Sequence, residues 1–226
     1  MSYTRFAIYY LPPEGALADF GAAWLGWDCV TARAVVPPHV PGLHDVTMTP
    51  RKYGFHGTLK PPFRLAERTD LAGLQEAMVQ MAAICAPAQS DGLALTALGR
   101  FLALTPVGDS SGIARVAATY VEALDAFRAP PGEAELARRR KARLSERQEA
   151  LLQRWGYPYV MGEFRFHMTL SKRIKEDNER DTLMQEILKH GAEALATPVT
   201  VDAISVFRQE NKKAPFTRLG RFAFAG

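Results

Sequence analysis

The sequence is poor in cysteine, with two among 226 residues. Cys29 and Cys85 lie far apart and form no CxxC pair, so neither a thiol redox motif nor a cysteine-rich zinc site is indicated. We expect two reduced thiols rather than a disulfide. No apolar run approaches the roughly 20 residues that span a bilayer, and residues 1–10 lack the form of a signal peptide. We therefore expect a cytoplasmic protein with no membrane partner.

A glycine-rich phosphate loop of either common nucleotide-binding type is also missing. Neither sign of charge dominates strongly, because 28 basic and 24 acidic residues leave a formal net charge of +4. This mild excess fits an anionic substrate without requiring nucleic acid. Hydrophobic residues make up 47% and charged residues 23%, which is typical of a globular protein rather than a disordered one.

Strand and helix patterns mix along the chain without a regular βαβ alternation. Apolar and aromatic runs predict strands at 5–11, 53–59, 93–105 (bent or divided at Gly99), 113–116, 164–170, 199–207 and 216–224. Helical spacing predicts helices at 14–25, 71–84, 119–127, 133–155 and 180–195. This order favours an α+β fold with antiparallel sheets over a doubly wound one.

One tetrapeptide pattern occurs twice, as His56-Gly57-Thr58-Leu59 and as His167-Met168-Thr169-Leu170, each preceded by phenylalanine. Residues two apart on a strand share a face. Each strand therefore offers an imidazole and a hydroxyl on one face and apolar side chains on the other. A single copy is more simply interpreted as a half-buried strand with a satisfied histidine, but two matched copies favour a function.

Two such motifs facing each other across a cleft suit displacement at phosphorus. One of His56 and His167 can act as a base and the other as an acid, and the hydroxyls of Thr58 and Thr169 can donate to phosphoryl oxygens. We expect no metal and no cofactor, because hydroxyls and nearby cations can hold the anionic oxygens. The residues do not say which histidine has which role.

Five further residues are candidates for contacts with a substrate. Lys60 shares the strand face of His56 if the strand runs that far, and is either a phosphate ligand or an exposed strand-end lysine. Arg165 can bind a phosphate with its fork or form a surface ion pair. Tyr53, Tyr157 and Tyr159 can stack on a bound ring, although such tyrosines more often serve packing.

The stretch from 133 to 155 is rich in charges of both signs. Its cations can be interpreted as a phosphate or nucleic-acid patch or as a solvated helix face balanced by glutamates, and we favour the solvated face for most of them. His39 and His44 lie in a proline-rich loop without carboxylates at ligand spacing, so they are a weak indication of a metal site.

The paired motifs resemble the signature of the two-histidine (2H, LigT-like) phosphoesterase superfamily. The resemblance implies a bilobed α+β fold with two pseudo-symmetric antiparallel sheets, helices on the outside and a central cleft. Residues 1–226 would form one such domain, with a charged helical insertion at about 133–155. Residues 53–60, 154–160 and 164–170 also resemble the branch encoded in bacterial phosphonate-utilisation (carbon–phosphorus lyase) operons, which implies a ribose phosphate or cyclic ribose phosphate as a candidate substrate.

We therefore predict a metal-independent phosphodiesterase that hydrolyses a cyclic phosphate or phosphodiester of a small sugar phosphate or nucleotide, in phosphonate metabolism. One alternative is a non-catalytic protein that binds a phosphorylated ligand in the same cleft. The other is an RNA-end-processing 2′-3′ cyclic phosphodiesterase, and we place RNA behind a small phosphorylated substrate because the inserted charged segment separates the two motifs widely.

Overall fold

A computed structural model describes residues 4–196 and 198–226. The strands within these residues are β1 (Arg5–Tyr10), β2 (Trp27–Asp28), β3 (Arg33–Ala34), β4 (Gly57–Phe63), β5 (Ala88–Ser90), β6 (Gly92–Leu98), β7 (Phe101–Val107), β8 (Met168–Thr169), β9 (Val199–Val201), β10 (Ala203–Gln209) and β11 (Thr217–Ala223). The helices are α1 (Ala16–Leu25), α2 (Leu43–Thr47), α3 (Leu71–Ala82), α4 (Ser111–Ala123), α5 (Glu133–Arg140), α6 (Glu146–Trp155) and α7 (Asp177–Leu195).

Antiparallel pairing joins the principal strands in the order β11-β10-β1-β4-β8-β7-β6. The first four strands form one half and the last three form the other, and the halves are joined at one paired position, Gly57 with Met168. Helices α3 and α4 pack against strands of the first half, while α7 packs on β6 and on α1. The predicted α+β fold with two antiparallel sheets backed by helices is confirmed.

The junction between the halves is tightly packed. A Cβ atom on Gly57 would overlap the ring of Phe166, so only glycine lets these two segments approach this closely. Phe166 also contacts Tyr10, with ring centroids 5.8 Å apart. From α1, the indole of Trp24 donates a hydrogen bond of 3.0 Å to the carbonyl of Leu170. The strand pairing, the aromatic packing and this buried bond together fix the two motifs beside each other.

Both motif strands differ in extent from their predictions. The strand predicted at 53–59 begins at Gly57 and continues through Pro61 and Pro62 to Phe63. Prolines are tolerated there because β4 pairs with β8 only at Gly57, so most of that edge needs no backbone donor. The strand predicted at 164–170 is reduced to β8, preceded by a 3-10 turn at Met161–Glu163.

Two other predictions from local patterns are wrong. The short strand at 113–116 lies within α4, where Ile113, Val116 and Tyr120 are buried at helical spacing. The single helix at 133–155 is divided into α5 and α6, because Ser145 begins a new helix with a capping box. Of the two possibilities at Gly99, one bent strand or two strands, the structure has two, since β6 and β7 form a hairpin around it.

Two expectations from composition, about the cysteines and about membrane-spanning segments, can be compared with the structure. Cys29 and Cys85 are both free thiols, and Cys29 is buried. In the part of the chain that is described, no helix combines the length and the apolar character needed to cross a membrane.

The close approach at Gly57 predicts that Gly57→Ala destabilises the protein by about 1–3 kcal/mol, because the new methyl group must displace the ring of Phe166. Urea unfolding followed by circular dichroism measures the loss. Gly132→Ala is the matched control, since a Cβ there meets nothing within 4 Å. Equal stability of the two variants would contradict the close packing of the junction.

Candidate active site

The two motifs line one open cleft of about 1040 Å³. His56, Thr58, His167 and Thr169 all contribute to its wall. The antiparallel pairing of Gly57 with Met168 brings the two motifs together at this wall. The imidazole of His56 contacts the hydroxyl of Thr58 in its own motif.

Both histidines are oriented by the same local device. The Nδ1 atom of His56 lies 2.9 Å from the carbonyl oxygen of Gly54, and Nδ1 of His167 lies 2.8 Å from that of Arg165. A carbonyl oxygen only accepts, so Nδ1 carries the proton in both rings. When the imidazole is neutral, this leaves the lone pair on Nε2. In His56 that atom accepts from the Thr58 hydroxyl at 3.0 Å.

Gly54 makes the bond to His56 possible through its backbone conformation. Its φ of +74° lies in the left-handed region, and a Cβ atom there would overlap the side chain of Cys29. The carbonyl of Gly54 is thereby directed at the imidazole two residues later. Arg165 occupies the equivalent place in the second motif, so the two copies reach the same hydrogen bond with different backbones.

His56 is the more deeply buried of the two histidines. Its ring stacks on that of Tyr9, with centroids 3.8 Å apart. The pKa of His56 is lowered to about 4, mainly by desolvation. The bond to Gly54 opposes this shift, and the nearby His167 adds to it. His56 is therefore neutral at physiological pH and offers an acceptor at Nε2.

Lys60 does not lie in the cleft. The β1–β4 ladder pairs Thr58 with Tyr9 and Lys60 with Ile8, and the register shift between these pairs reverses the alternation of side chains. Lys60 is only 2% exposed, and its ammonium donates a bond of 2.9 Å to the carbonyl of Val121 in α4. Both interpretations of Lys60, as a phosphate ligand and as an exposed strand-end residue, are wrong.

The remaining predicted contact residues do reach the cleft. Arg165 lies on the cleft wall and is exposed, and Tyr53, Tyr157 and Tyr159 line the same cleft. Tyr53 stacks on Phe216 at 5.3 Å, and Tyr157 meets Tyr159 edge to face at 5.7 Å. The structure thus brings these four side chains to the motifs, and their contacts with a substrate stay a prediction.

Tyr9 is a cleft residue that the sequence did not single out. It is fully buried, lines the cleft and supports His56, yet its hydroxyl has no hydrogen-bond partner among the described residues. Burial raises its pKa well above the ordinary value. The apolar and aromatic pattern of β1 indicated a core strand, and nothing in that pattern distinguishes Tyr9 from its buried neighbour Tyr10.

Helix α5 also contributes to the cleft. Arg138 and Arg139 line it while both pair with Glu135, at 3.6 and 3.8 Å. Arg140 instead pairs with Glu149 at 2.6 Å, and Arg147 pairs with Glu163 at 3.6 Å, as expected of a solvated face. The division between α5 and α6 decides which cations turn inward, and a continuous helix pattern does not reveal it.

Residues 58–217 match a family described as Protein of unknown function (DUF1045). The chain belongs to the DUF1045 family. It is 39% identical to a protein of Janthinobacterium named Ribose 1,5-bisphosphate phosphokinase PhnN, over 100% of this chain and 52% of that protein. A protein of the same name from Laribacter hongkongensis is 36% identical over 76% of this chain and 41% of its own length. The DUF1045 chain thus spans about half the length of the first of these curated relatives and less than half of the second.

Solved structures similar to the DUF1045 chain include E. coli LigT complexed with 3′-AMP, with 13% identity, a TM-score of 0.48 and 99% of each chain covered. A Thermus thermophilus protein has 17% identity, a TM-score of 0.44 and 98% of each chain covered. The chemistry of the DUF1045 site follows from its own residues.

The lowered pKa of His56 predicts a stability that depends on pH. The pKa of His56 is about 4 in the folded protein and about 6.5 in the unfolded chain. Between these values the unfolded chain binds more protons, so the stability that is present above pH 6.5 is lost as the pH falls toward 4. Urea unfolding across this range should show a steeper loss for the wild type than for His56→Gln, which cannot titrate. Parallel curves would contradict the burial of His56.

The unpartnered hydroxyl of Tyr9 predicts that Tyr9→Phe leaves the melting temperature unchanged or raises it, because an unsatisfied buried hydroxyl costs about 1–3 kcal/mol. Thr47→Val is the matched control. Its buried hydroxyl donates to Leu43 at 2.8 Å and accepts from Arg51 at 2.9 Å, so its removal should lower the melting temperature. A clear loss of stability in Tyr9→Phe would show that the hydroxyl has a protein partner.

Proposed function

We propose that this DUF1045 chain is a metal-independent two-histidine phosphodiesterase that opens the cyclic phosphate of a small sugar phosphate. The observation that carries the proposal is that the histidine and the threonine of both motifs line one cleft, where the pairing of Gly57 with Met168 joins the two motifs. A phosphorus atom held between the two imidazoles has an acid–base group on either side, as in-line displacement needs.

The different surroundings of the histidines support a division of roles. Neutral His56 has its Nδ1 proton engaged by Gly54, so Nε2 is the atom that takes a proton from the attacking water. The water oxygen forms the new bond to phosphorus while the bond to the leaving sugar oxygen breaks. His167, protonated at Nε2, gives its proton to that oxygen. The Thr58 hydroxyl, which donates to Nε2 of His56 without substrate, turns to a non-bridging oxygen and leaves Nε2 to the water. Thr169 donates to the non-bridging oxygens as charge gathers on them.

The names of the relatives support a ribose phosphate as the sugar. Opening the 1,2-cyclic phosphate of ribose 5-phosphate at its bond to O2 gives ribose 1,5-bisphosphate, the compound in the printed name of both relatives. That name describes a kinase, but this chain has no glycine-rich phosphate loop and covers half of the first relative. We assign the kinase to the portion of those relatives that the chain does not cover, with the phosphodiesterase supplying its substrate in phosphonate metabolism.

The mechanism predicts different responses of His56→Ala and His167→Ala to the leaving group. On a ribose cyclic phosphate, each variant should lose roughly 10²- to 10⁴-fold in kcat. On a p-nitrophenyl phosphodiester, whose leaving group needs no proton, His167→Ala should keep most of its turnover while His56→Ala remains impaired. Steady-state kinetics with and without a metal chelator measure both effects.

His190→Ala is the matched control, because His190 pairs with Glu186 on α7 outside the cleft and should retain full activity. A reversed response to the leaving group would exchange the two roles. Activity that survives both motif substitutions, or that disappears with the chelator, would contradict the mechanism. Tight binding of cyclic phosphates without turnover would favour the non-catalytic alternative, and turnover confined to RNA 2′-3′ cyclic ends would favour RNA processing.

A further inference from the structure

We infer that helix α5 carries a second anion-binding subsite in the cleft, in which Arg139, stacked on Tyr157, holds a phosphate monoester remote from the scissile phosphodiester. The inference rests on the proposed function and deepens it. It assigns recognition of the substrate's second phosphate to the inserted helices, whereas the motif strands carry the chemistry.

The charge of the cleft exceeds what a cyclic phosphodiester needs. A cyclic phosphodiester carries one negative charge, and in the proposed function Thr58, Thr169 and Arg165 contact it. Among the described residues, however, the cleft wall contains six cationic side chains and one carboxylate, Glu163. The cations are Arg5, Lys52, Arg138, Arg139, Arg165 and Lys212. Such a concentration of one charge attracts ligands that carry several charges of the opposite sign.

Glu163 does not neutralise the α5 cations. It pairs with Arg147 at 3.6 Å and accepts a bond of 2.9 Å from Gln148, so its charge is engaged by α6. On the opposite wall, Arg5 donates to Gln209 at 3.1 Å. On α5, Glu135 pairs with both Arg138 at 3.6 Å and Arg139 at 3.8 Å, so two cations of the cleft wall share one carboxylate.

Arg139 has the geometry of a prepared ligand site. Its guanidinium carbon lies 4.5 Å from the centroid of the Tyr157 ring, and its Nη2 lies 3.8 Å from Glu135. The Nε atom is buried and has no partner among the described residues. A guanidinium stacked on a ring keeps its planar fork oriented, and a buried donor without a partner costs free energy that an incoming anion would recover.

Aromatic rings connect this position to the reacting centre. Tyr157 lies close enough to Tyr53 and Tyr9 to interact electrostatically with both, and Tyr9 stacks directly on His56. Arg139, which stacks on Tyr157, lines the same cleft as His56, whereas Arg165 belongs to the His167 motif. A phosphorylated pentose can place its cyclic phosphate between the histidines and direct its terminal phosphate toward α5.

The test compares two substrates, ribose 1,2-cyclic phosphate with and without a 5-phosphate. Arg139→Gln should lower kcat/KM for the phosphorylated substrate by about 10- to 100-fold, as expected for a lost charge-assisted contact, mainly through KM. It should leave kcat/KM for the unphosphorylated substrate within about twofold. Arg140→Gln is the matched control, because Arg140 neighbours Arg139 in sequence but pairs with Glu149 outside the cleft.

Equal losses on both substrates, or no loss on either, would overturn the subsite. If the wild type hydrolyses neither compound, the proposed function fails separately, and calorimetry with ribose 5-phosphate still decides about the subsite. Binding to the wild type and to Arg140→Gln that is at least tenfold weaker in Arg139→Gln supports it. Equal affinity for all three proteins, or no binding, overturns it.

Discussion

The pairing of Gly57 with Met168 is the contact on which the other features of the structure depend. It is the single hydrogen-bonded position between the two halves of the sheet within the described residues, and the ring of Phe166 occupies the space that a side chain at Gly57 would need. Because both motifs are centred on this pair, the contact that joins the halves also assembles the site. Fold and function therefore depend on the same few atoms.

The two motifs are alike in sequence and in local geometry, but not in their surroundings. Each imidazole is held by a carbonyl two residues earlier, so both point Nε2 away from the backbone. His56 lies beneath Tyr9, and the loss of solvation lowers its pKa. His167 contacts Phe101 at the more open wall, with ring centroids 5.7 Å apart. In the proposed mechanism, this difference in burial separates the proton-transfer roles of the two histidines.

The strands and the helices α5 and α6 make different contributions to the cleft. The strands supply the histidines and hydroxyls through one register, which leaves little freedom to vary them. Helices α5 and α6 approach the same cleft from outside the sheet and bring Arg138, Arg139 and Tyr157 to its wall. In the proposed function, a change in these helices alters which phosphorylated compound is bound without disturbing the reacting atoms, since the helices do not form part of the β4–β8 pairing.

The sequence by itself determined the α+β class from the order of its elements, and it determined a bend or break at Gly99 and the pair of His-x-Thr motifs, because these last two depend on spacing within a few residues. Only the tertiary structure decided the orientation of Lys60, since the irregular register of β4 arises from its pairing with β1. It also decided the lowered pKa of His56, which depends on Tyr9, and the entry of Arg139 into the cleft, which depends on where α5 ends. Each of these results from contacts between segments distant in sequence, and local alternation contains no information about them.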